Sequence, residues 1–465
     1  MSPRTSSTRV APGPEGLPWV GNIFDVWKDP LRLFTRSVAE HGDIVAMRFG
    51  PFRYWLLNHP EAIHHVLVDN NRNYTKSRNY QGLKLVLGEG LVTSEGEFWR
   101  RQRRLAQPAF HKEKLAGFAR TMAEDTAAML EAWQARRGDR APLDVHAEMM
   151  KLTLKIVART LFSTTVGAEA DAIGAALAIA LRHAEDYAES LLPVPPWVPT
   201  LSNLRFKRAV RTLDELVFRI IDERRKSGAD PGDLLAMLMA ATDDEASDGA
   251  RGMTDRQLRD EVMTLVMAGH ETTANALTWT FYLLANHPEI EARLRQEVDA
   301  VLGDDRARVP TLADLPKLTY TAMVIQESMR LFPPVWAFER QAREADVVAG
   351  FDVPARAIMA VCPYALHRHP AYWEDPERFD PLRFTPERVE ARPRYAYLPF
   401  GGGPRQCIGN GFAMMEAQII LAMVVRQEHL ALAPGFELEL DPVVTLRPKR
   451  GMPMIATDAR ARARA

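Results

Sequence analysis

The chain has 465 residues, a formal net charge of −1 and an ordinary apolar fraction, enough for one large core. The near-neutral balance argues against nucleic acid as the main partner, and two cysteines are too few for a disulfide framework, which fits a reducing cytosol. No apolar run approaches the roughly 18–20 residues that cross a bilayer. The first nine residues lack the apolar core of a signal peptide, so a cytoplasmic protein with no membrane span is expected.

In chain order, residues 1–20 form a proline-rich lead-in whose Ala11–Pro18 stretch is expected to lie extended on the surface. Ile44–Phe49 and Arg53–Leu57, split by Gly50-Pro51, read as a β-hairpin, and Pro60–Leu67 as a short helix. From Phe98 to Leu302 the pattern is overwhelmingly helical. Leu191–Pro199 interrupts it with four prolines in nine residues, a loop that suits either a lid over an apolar cavity or a rigid linker. Asp243–Gly249 reads as a solvated loop. Thr254-x-x-Gln257 is a capping box opening a helix that runs to Asn286, where His287-Pro288 stops it; that is about 50 Å. Strand-like pieces return at Val347–Phe351 and Ile358–Val361, and residues 458–465 are expected to be a disordered tail. The prediction is one mainly α domain over 1–465 with a small segregated β region.

Chemistry concentrates in a few places. Phe400-Gly-Gly-Gly-Pro-Arg-Gln-Cys407-Ile-Gly409 must form a shaped loop, since three glycines and a proline forbid helix or regular strand. Helix-forming sequence follows, so Cys407 sits where a helix N-terminus favours thiolate, the form that ligates iron. Gly403 and Gly409 would admit a flat macrocycle close to the sulfur, and Arg405 would reach an anionic group at its edge. Cys362, in an apolar run, reads as a buried hydrophobe. In Ala268-Gly269-His270-Glu271-Thr272-Thr273, Ala268 and Thr272 share a helix face and Glu271 stands beside the hydroxyl, as a proton-delivery pair would. Taken alone, that stretch reads better as Thr272 bonding its own backbone and Glu271 on a solvated face.

The Phe400–Gly409 frame resembles the haem-binding loop of the cytochrome P-450 family, and the Ala268–Thr273 stretch resembles that family's oxygen-activating segment. The resemblance implies the P-450 fold, a single large helical domain around buried haem b, with Cys407 as axial thiolate and Glu271 and Thr272 as catalytic residues. It places Trp99, Arg103, Arg340, Arg405 and His367 on the haem propionates, and Phe400, Gly403 and Gly409 around the macrocycle. Glu327 and Arg330 would form a buried structural network with Arg378 of Pro376-Glu377-Arg378-Phe379. Met263, Met267, Ala268, Val335 and Ala337 would line an apolar substrate pocket, and Arg100, Arg101 and Arg104 would dock an acidic redox partner.

The implied activity is insertion of one oxygen atom from O2 into a C–H bond, as hydroxylation or epoxidation, of a hydrophobic molecule such as a fatty acid, terpenoid or polyketide. Electrons would come from NAD(P)H through a reductase and a ferredoxin or flavodoxin, to a monomer. A haem-thiolate isomerase or dehydratase, or a non-catalytic haem sensor, would use the same loop without that electron supply.

Overall fold

A computed structural model describes residues 9–110, 112–136, 141–165, 169–190, 192–228, 230–240 and 253–459. The Asp243–Gly249 loop and the end of the tail lie outside these residues. The chain forms two compact units: Met1–Tyr80 with Arg330–Cys407, and Gln81–Met329 with Ile408–Ala465. Helices dominate and the strands stand apart from them, as the sequence pattern predicts.

The first unit is built on a five-stranded sheet, ordered Ile44–Phe49, Phe52–Leu57, Ile358–Val361, Phe338–Ala342, Tyr74–Thr75. All its pairings are antiparallel except Phe52–Leu57 with Ile358–Val361, where Tyr54 sits opposite Ile358. Alternate residues bury on opposite faces: Trp55, Leu57, Met359 and Val361 in one apolar cluster, Tyr54, Leu56, Ile358 and Ala360 in the other. Both faces are therefore covered, and a one-residue register slip would exchange the two sets.

The lead-in is not merely draped. Ala46 N donates to Pro12 O at 2.7 Å, Asn22 N to Arg48 O at 2.7 Å, and Gly50 N to Val20 O at 2.8 Å. A Cβ on Gly13 would stand 1.7 Å from Ala46 O, so glycine is what lets the lead-in close the free edge of the first strand. Val347–Phe351 is also two strands rather than one. Asp346–Val348 and Phe351–Val353 pair antiparallel across a turn in which Ala349 and Gly350 have φ of 50° and 79°.

The second unit is organised by the helix Asp255–Asn286. Both halves of the capping box form: Gln257 N donates to Thr254 Oγ1 at 3.3 Å, and Thr254 N to Gln257 Oε1 at 2.7 Å. The helix Val145–Phe162 packs along it, approaching so closely at Gly269 that an added Cβ would lie 3.1 Å from a Val157 methyl. Thr153 Oγ1 crosses between them to His270 O at 3.0 Å. The proline-rich loop is pinned by Asn203, whose Nδ2 donates to Pro195 O and Val198 O at 2.9 and 2.8 Å. Its Leu192 and Trp197 are exposed.

The expected tail begins too early at 458. Pro453–Asp458 is the middle strand of a three-stranded sheet, with Asp458 opposite Glu428, and Ala459 N donates to Gln427 O at 3.2 Å. Backbone pairing holds these residues where composition alone suggested fraying. Among the described residues no helix is long and apolar enough to cross a membrane.

Candidate active site

In the first unit, the Phe400–Cys407 loop is closed by Cys407 N donating to Phe400 O at 3.0 Å. Gly403 has φ of 67°, and a Cβ there would fall 2.0 Å from Leu67 O. Its glycine is thus required by the polypeptide itself. The Cys407 thiol is exposed; Cys362 is fully buried among apolar side chains, and burial pushes its thiol up to about 12. Of the two cysteines, Cys407 is the one accessible from outside the polypeptide, and Cys362 is the buried hydrophobe its apolar run suggests.

Arg340 is nearly buried on the strand Phe338–Ala342, its Nη1 donating to Glu339 O at 2.7 Å. His367 is fully buried and its Nε2 accepts from Leu398 N at 2.9 Å. The ring proton is therefore on Nδ1, the one atom through which it can act as donor. Phe400 and Arg405 are half-buried, as are Val335 and Ala337 before the strand.

Arg330 is fully buried and donates to the carbonyls of His367 at 2.9 Å, Pro376 at 2.6 Å and Arg378 at 3.1 Å. Glu327, one helical turn earlier, is fully buried too. Arg378 itself is exposed and contributes only its backbone oxygen, which corrects its expected place in a buried network. Arg383 is the buried arginine of this stretch, bonded to Glu374 O and to Asp375 O at 2.8 Å. The signal was available: Pro381-Leu382-Arg383-Phe384 repeats the Pro-x-Arg-Phe spacing five residues after Pro376-Glu377-Arg378-Phe379.

In the second unit, Trp99 and Arg103 share a face of the helix Gly96–Ala106, with the guanidinium carbon 5.9 Å from the indole centroid. Trp99 is buried and Arg103 half-buried. Of the neighbouring arginines, Arg100 pairs with Glu97, Arg104 is exposed and Arg101 half-buried. The cysteine helix, Asn410–Gln427, begins after Gly409. A Cβ on Gly409 would meet only Phe110, at an ordinary 3.7 Å. Among the described residues no crowding accounts for glycine there, whereas a flat ligand against that backbone would.

Along the long helix every residue from Leu258 to Phe281 is buried except Ala268, Gly269 and Thr272. These sit at i, i+1 and i+4, so they open one narrow notch on one face. Met263 and Met267 are buried below it in sequence. Thr272 Oγ1 donates to Ala268 O at 2.6 Å, so its proton is committed to the backbone and its lone pairs are what it offers. Glu271 is not on a solvated face. It is 4% exposed, its Oε1 accepts from Thr445 Oγ1 at 2.7 Å, and Arg447 Nη1 stands 4.0 Å away. Burial raises its carboxyl above the usual range, with Thr445 and Arg447 opposing. Sequence reasoning missed Thr445 and Arg447, which no motif marks.

An exposed thiol on a closed glycine loop, a glycine whose Cβ no described residue excludes, and cationic donors are each of a kind that a haem uses. The cytochrome P450 family model matches residues 11–455. Among curated proteins, the chain is 41% identical to cyclooctatin synthase of Streptomyces melanosporofaciens, over 96% of this chain and 95% of that one. It is 38% identical to cyclooctat-9-en-7-ol 5-monooxygenase of the same organism (94% and 92%) and 36% identical to pentalenene oxygenase of Streptomyces avermitilis (97% of each). Among solved structures, the haem domain of cytochrome P450DA superposes with a TM-score of 0.87 at 27% identity, covering 97% of this chain and 98% of that one. With the whole-chain match to the family model and to relatives named as oxygenases, the chain belongs to the cytochrome P450 family and is an oxidoreductase of the monooxygenase type.

Proposed function

We propose that this protein inserts one oxygen atom of O2 into a C–H bond of a terpenoid, by hydroxylation or epoxidation, the whole chain serving as one catalytic domain. The observation that carries the reading is the notch at Ala268, Gly269 and Thr272, the sole break in the buried middle of the long helix. The small side chain of Ala268 leaves room there for a small molecule, and a hydroxyl acceptor borders it. The terpenoid class is supported by the relatives named cyclooctat-9-en-7-ol 5-monooxygenase and pentalenene oxygenase.

When bound, haem supplies the redox chemistry that activates O2. It is of b type: with cysteines only at 362 and 407, the chain has no Cys-x-x-Cys-His for covalent attachment. Cys407 would supply the thiolate ligand to the iron, while Trp99, Arg103, Arg340, Arg405 and the Nδ1–H of His367 would hold the propionates. Thr272 orients a proton-bearing group by accepting its hydrogen bond, and Glu271 shuttles protons. Met263, Met267, Ala268, Val335 and Ala337 keep water from the substrate. A ferredoxin or flavodoxin with its reductase delivers the electrons, docking by its acidic surface at Arg100, Arg101 and Arg104 of a monomer in the cytoplasm.

The test offers the haem-loaded protein a panel of polycyclic terpene hydrocarbons and alcohols, fatty acids and polyketides, with NAD(P)H, a ferredoxin and its reductase. Terpenoids should give the haem spin-state shift and products that carry one labelled oxygen from 18O2. Oxygenation confined to fatty acids would overturn the substrate class. Rearranged products formed without O2 uptake would overturn the reaction.

A further inference from the structure

Glu271, Asn275 and Trp279 lie at i, i+4 and i+8 of the long helix, on one stripe. All three meet the tip of one hairpin, formed by Leu440–Pro442 and Leu446–Pro448. Trp279 Nε1 donates to Leu446 O at 3.0 Å, Asn275 Nδ2 to Thr445 Oγ1 at 3.1 Å, and Thr445 Oγ1 to Glu271 Oε1 at 2.7 Å. Behind Asn275 stands His146, whose Nε2 is 3.1 Å from Asn275 Oδ1. Because the Asn275 amide nitrogen is spent on Thr445, its oxygen must accept, and His146 must carry its proton on Nε2.

Every donor in this line points the same way: His146 to Asn275, Asn275 to Thr445, Thr445 to Glu271. The line ends on Oε1, the atom that Arg447 also approaches, and Arg447 is in turn held by Asp441 at 3.0 Å. Among the described residues nothing hydrogen-bonds Glu271 Oε2. An amide cannot readily pass a proton along, so the line is an orienting device rather than a wire.

We propose that Thr445, backed by Asn275 and His146, is a positioning residue that ties down Glu271 Oε1 and so leaves Oε2 as the proton-exchanging atom. This rests on the reading of Glu271 as the proton-delivery carboxyl. Thr445 also opposes the effect of burial, since a hydrogen bond donated to a carboxylate favours the charged form. The other ionisable groups acting on Glu271 are Arg447, which favours the charge, and Asp441, which opposes it; His146 and His270, both lowered by burial, stay neutral at pH 7.

The experiment is pH-difference infrared spectroscopy of the haem-loaded protein, reading the protonated-carboxyl band that disappears in Glu271→Gln. In Thr445→Val the midpoint of that band should move up by about one pH unit, a tenfold change in proton affinity, and in Thr445→Ser it should return to the wild-type value. Peroxide formed per NAD(P)H should rise in Thr445→Val and fall back in Thr445→Ser. If Thr445→Val does not accumulate, Thr445→Ala carries the same test. A midpoint unmoved by loss of the hydroxyl, while Glu271→Gln is uncoupled, overturns the role of Thr445 alone. A Glu271→Gln variant with wild-type peroxide yield removes the premise, and the proposal with it, whatever the band does.

Discussion

The hydroxyl of Thr272 is 2.6 Å from the carbonyl oxygen of Ala268, one turn earlier on the same helix. Its hydrogen therefore has a fixed partner, and it faces the notch as an acceptor. Thr272→Ala should fold and load haem normally but lose product per NAD(P)H, with peroxide rising several-fold. Thr272→Ser, which keeps the hydroxyl, should stay close to wild type. Peroxide assays beside product quantification decide it, and unchanged coupling in Thr272→Ala would reduce that hydrogen bond to helix packing.

Arg330, Arg378 and Arg383 give a stability test. Arg383 is buried and serves two carbonyls, so Arg383→Ala strands acceptors and should cost about 2–4 kcal/mol. Arg330 serves three, and Arg330→Met should cost about 3–5 kcal/mol. Arg378→Ala, at an exposed side chain, should stay within about 0.5 kcal/mol. Urea unfolding ranks them; equal losses at 378 and 383 would restore the network expected from sequence.

That correction marks how far the sequence could be read. Local signals carried well: the capping box at Thr254 and Gln257, the stop at His287-Pro288, the hairpin split at Gly50-Pro51, and the cysteine loop all depend on residues close in the chain. What failed depended on distant partners. Edge pairing of Pro12 with Ala46 and strand pairing of Asp458 with Glu428 join residues 34 and 30 positions apart, and composition does not report them. The support of Glu271 by Thr445 spans 174 positions, and nothing about a lone threonine announces it. The choice between Arg378 and Arg383 turned on burial alone, within two near-identical motifs.

Glu416, on the cysteine helix, predicts a pH effect. It is fully buried, neither carboxyl oxygen has a well-formed hydrogen bond, and burial raises it well above 4.5 against a weaker opposing influence from Thr273. The folded protein thus keeps this proton over a range in which the unfolded chain has lost it. As pH rises past about 4.5 toward the folded value, the unfolded state binds fewer protons and stability falls. Glu416→Gln removes that dependence. Its melting temperature relative to wild type should therefore climb between pH 5 and pH 8, and a constant difference would mean that Glu416 is ionised in the fold.

Arg100, Arg101 and Arg104 lie within two turns of the helix that carries Trp99 and Arg103. Replacing the three with Glu should slow the first electron transfer by about tenfold or more, and the wild-type rate should fall as salt shortens the Debye length from about 8 Å. Arg103 stays unaltered, so that haem content is held constant. Stopped-flow reduction by a ferredoxin pair is the measurement; a fully loaded triple variant reduced at the wild-type rate would move docking to another surface.

Whether Cys407 rather than Cys362 ligates the haem iron is read most directly from the carbon monoxide spectrum of the reduced protein. Cys407→Ser should lose the strongly red-shifted Soret band, because a neutral hydroxyl cannot donate to iron as a thiolate does. Cys362→Ser, altering a buried thiol held up near 12, should keep the band. A red-shifted band that survives in Cys407→Ser and vanishes in Cys362→Ser would contradict the account.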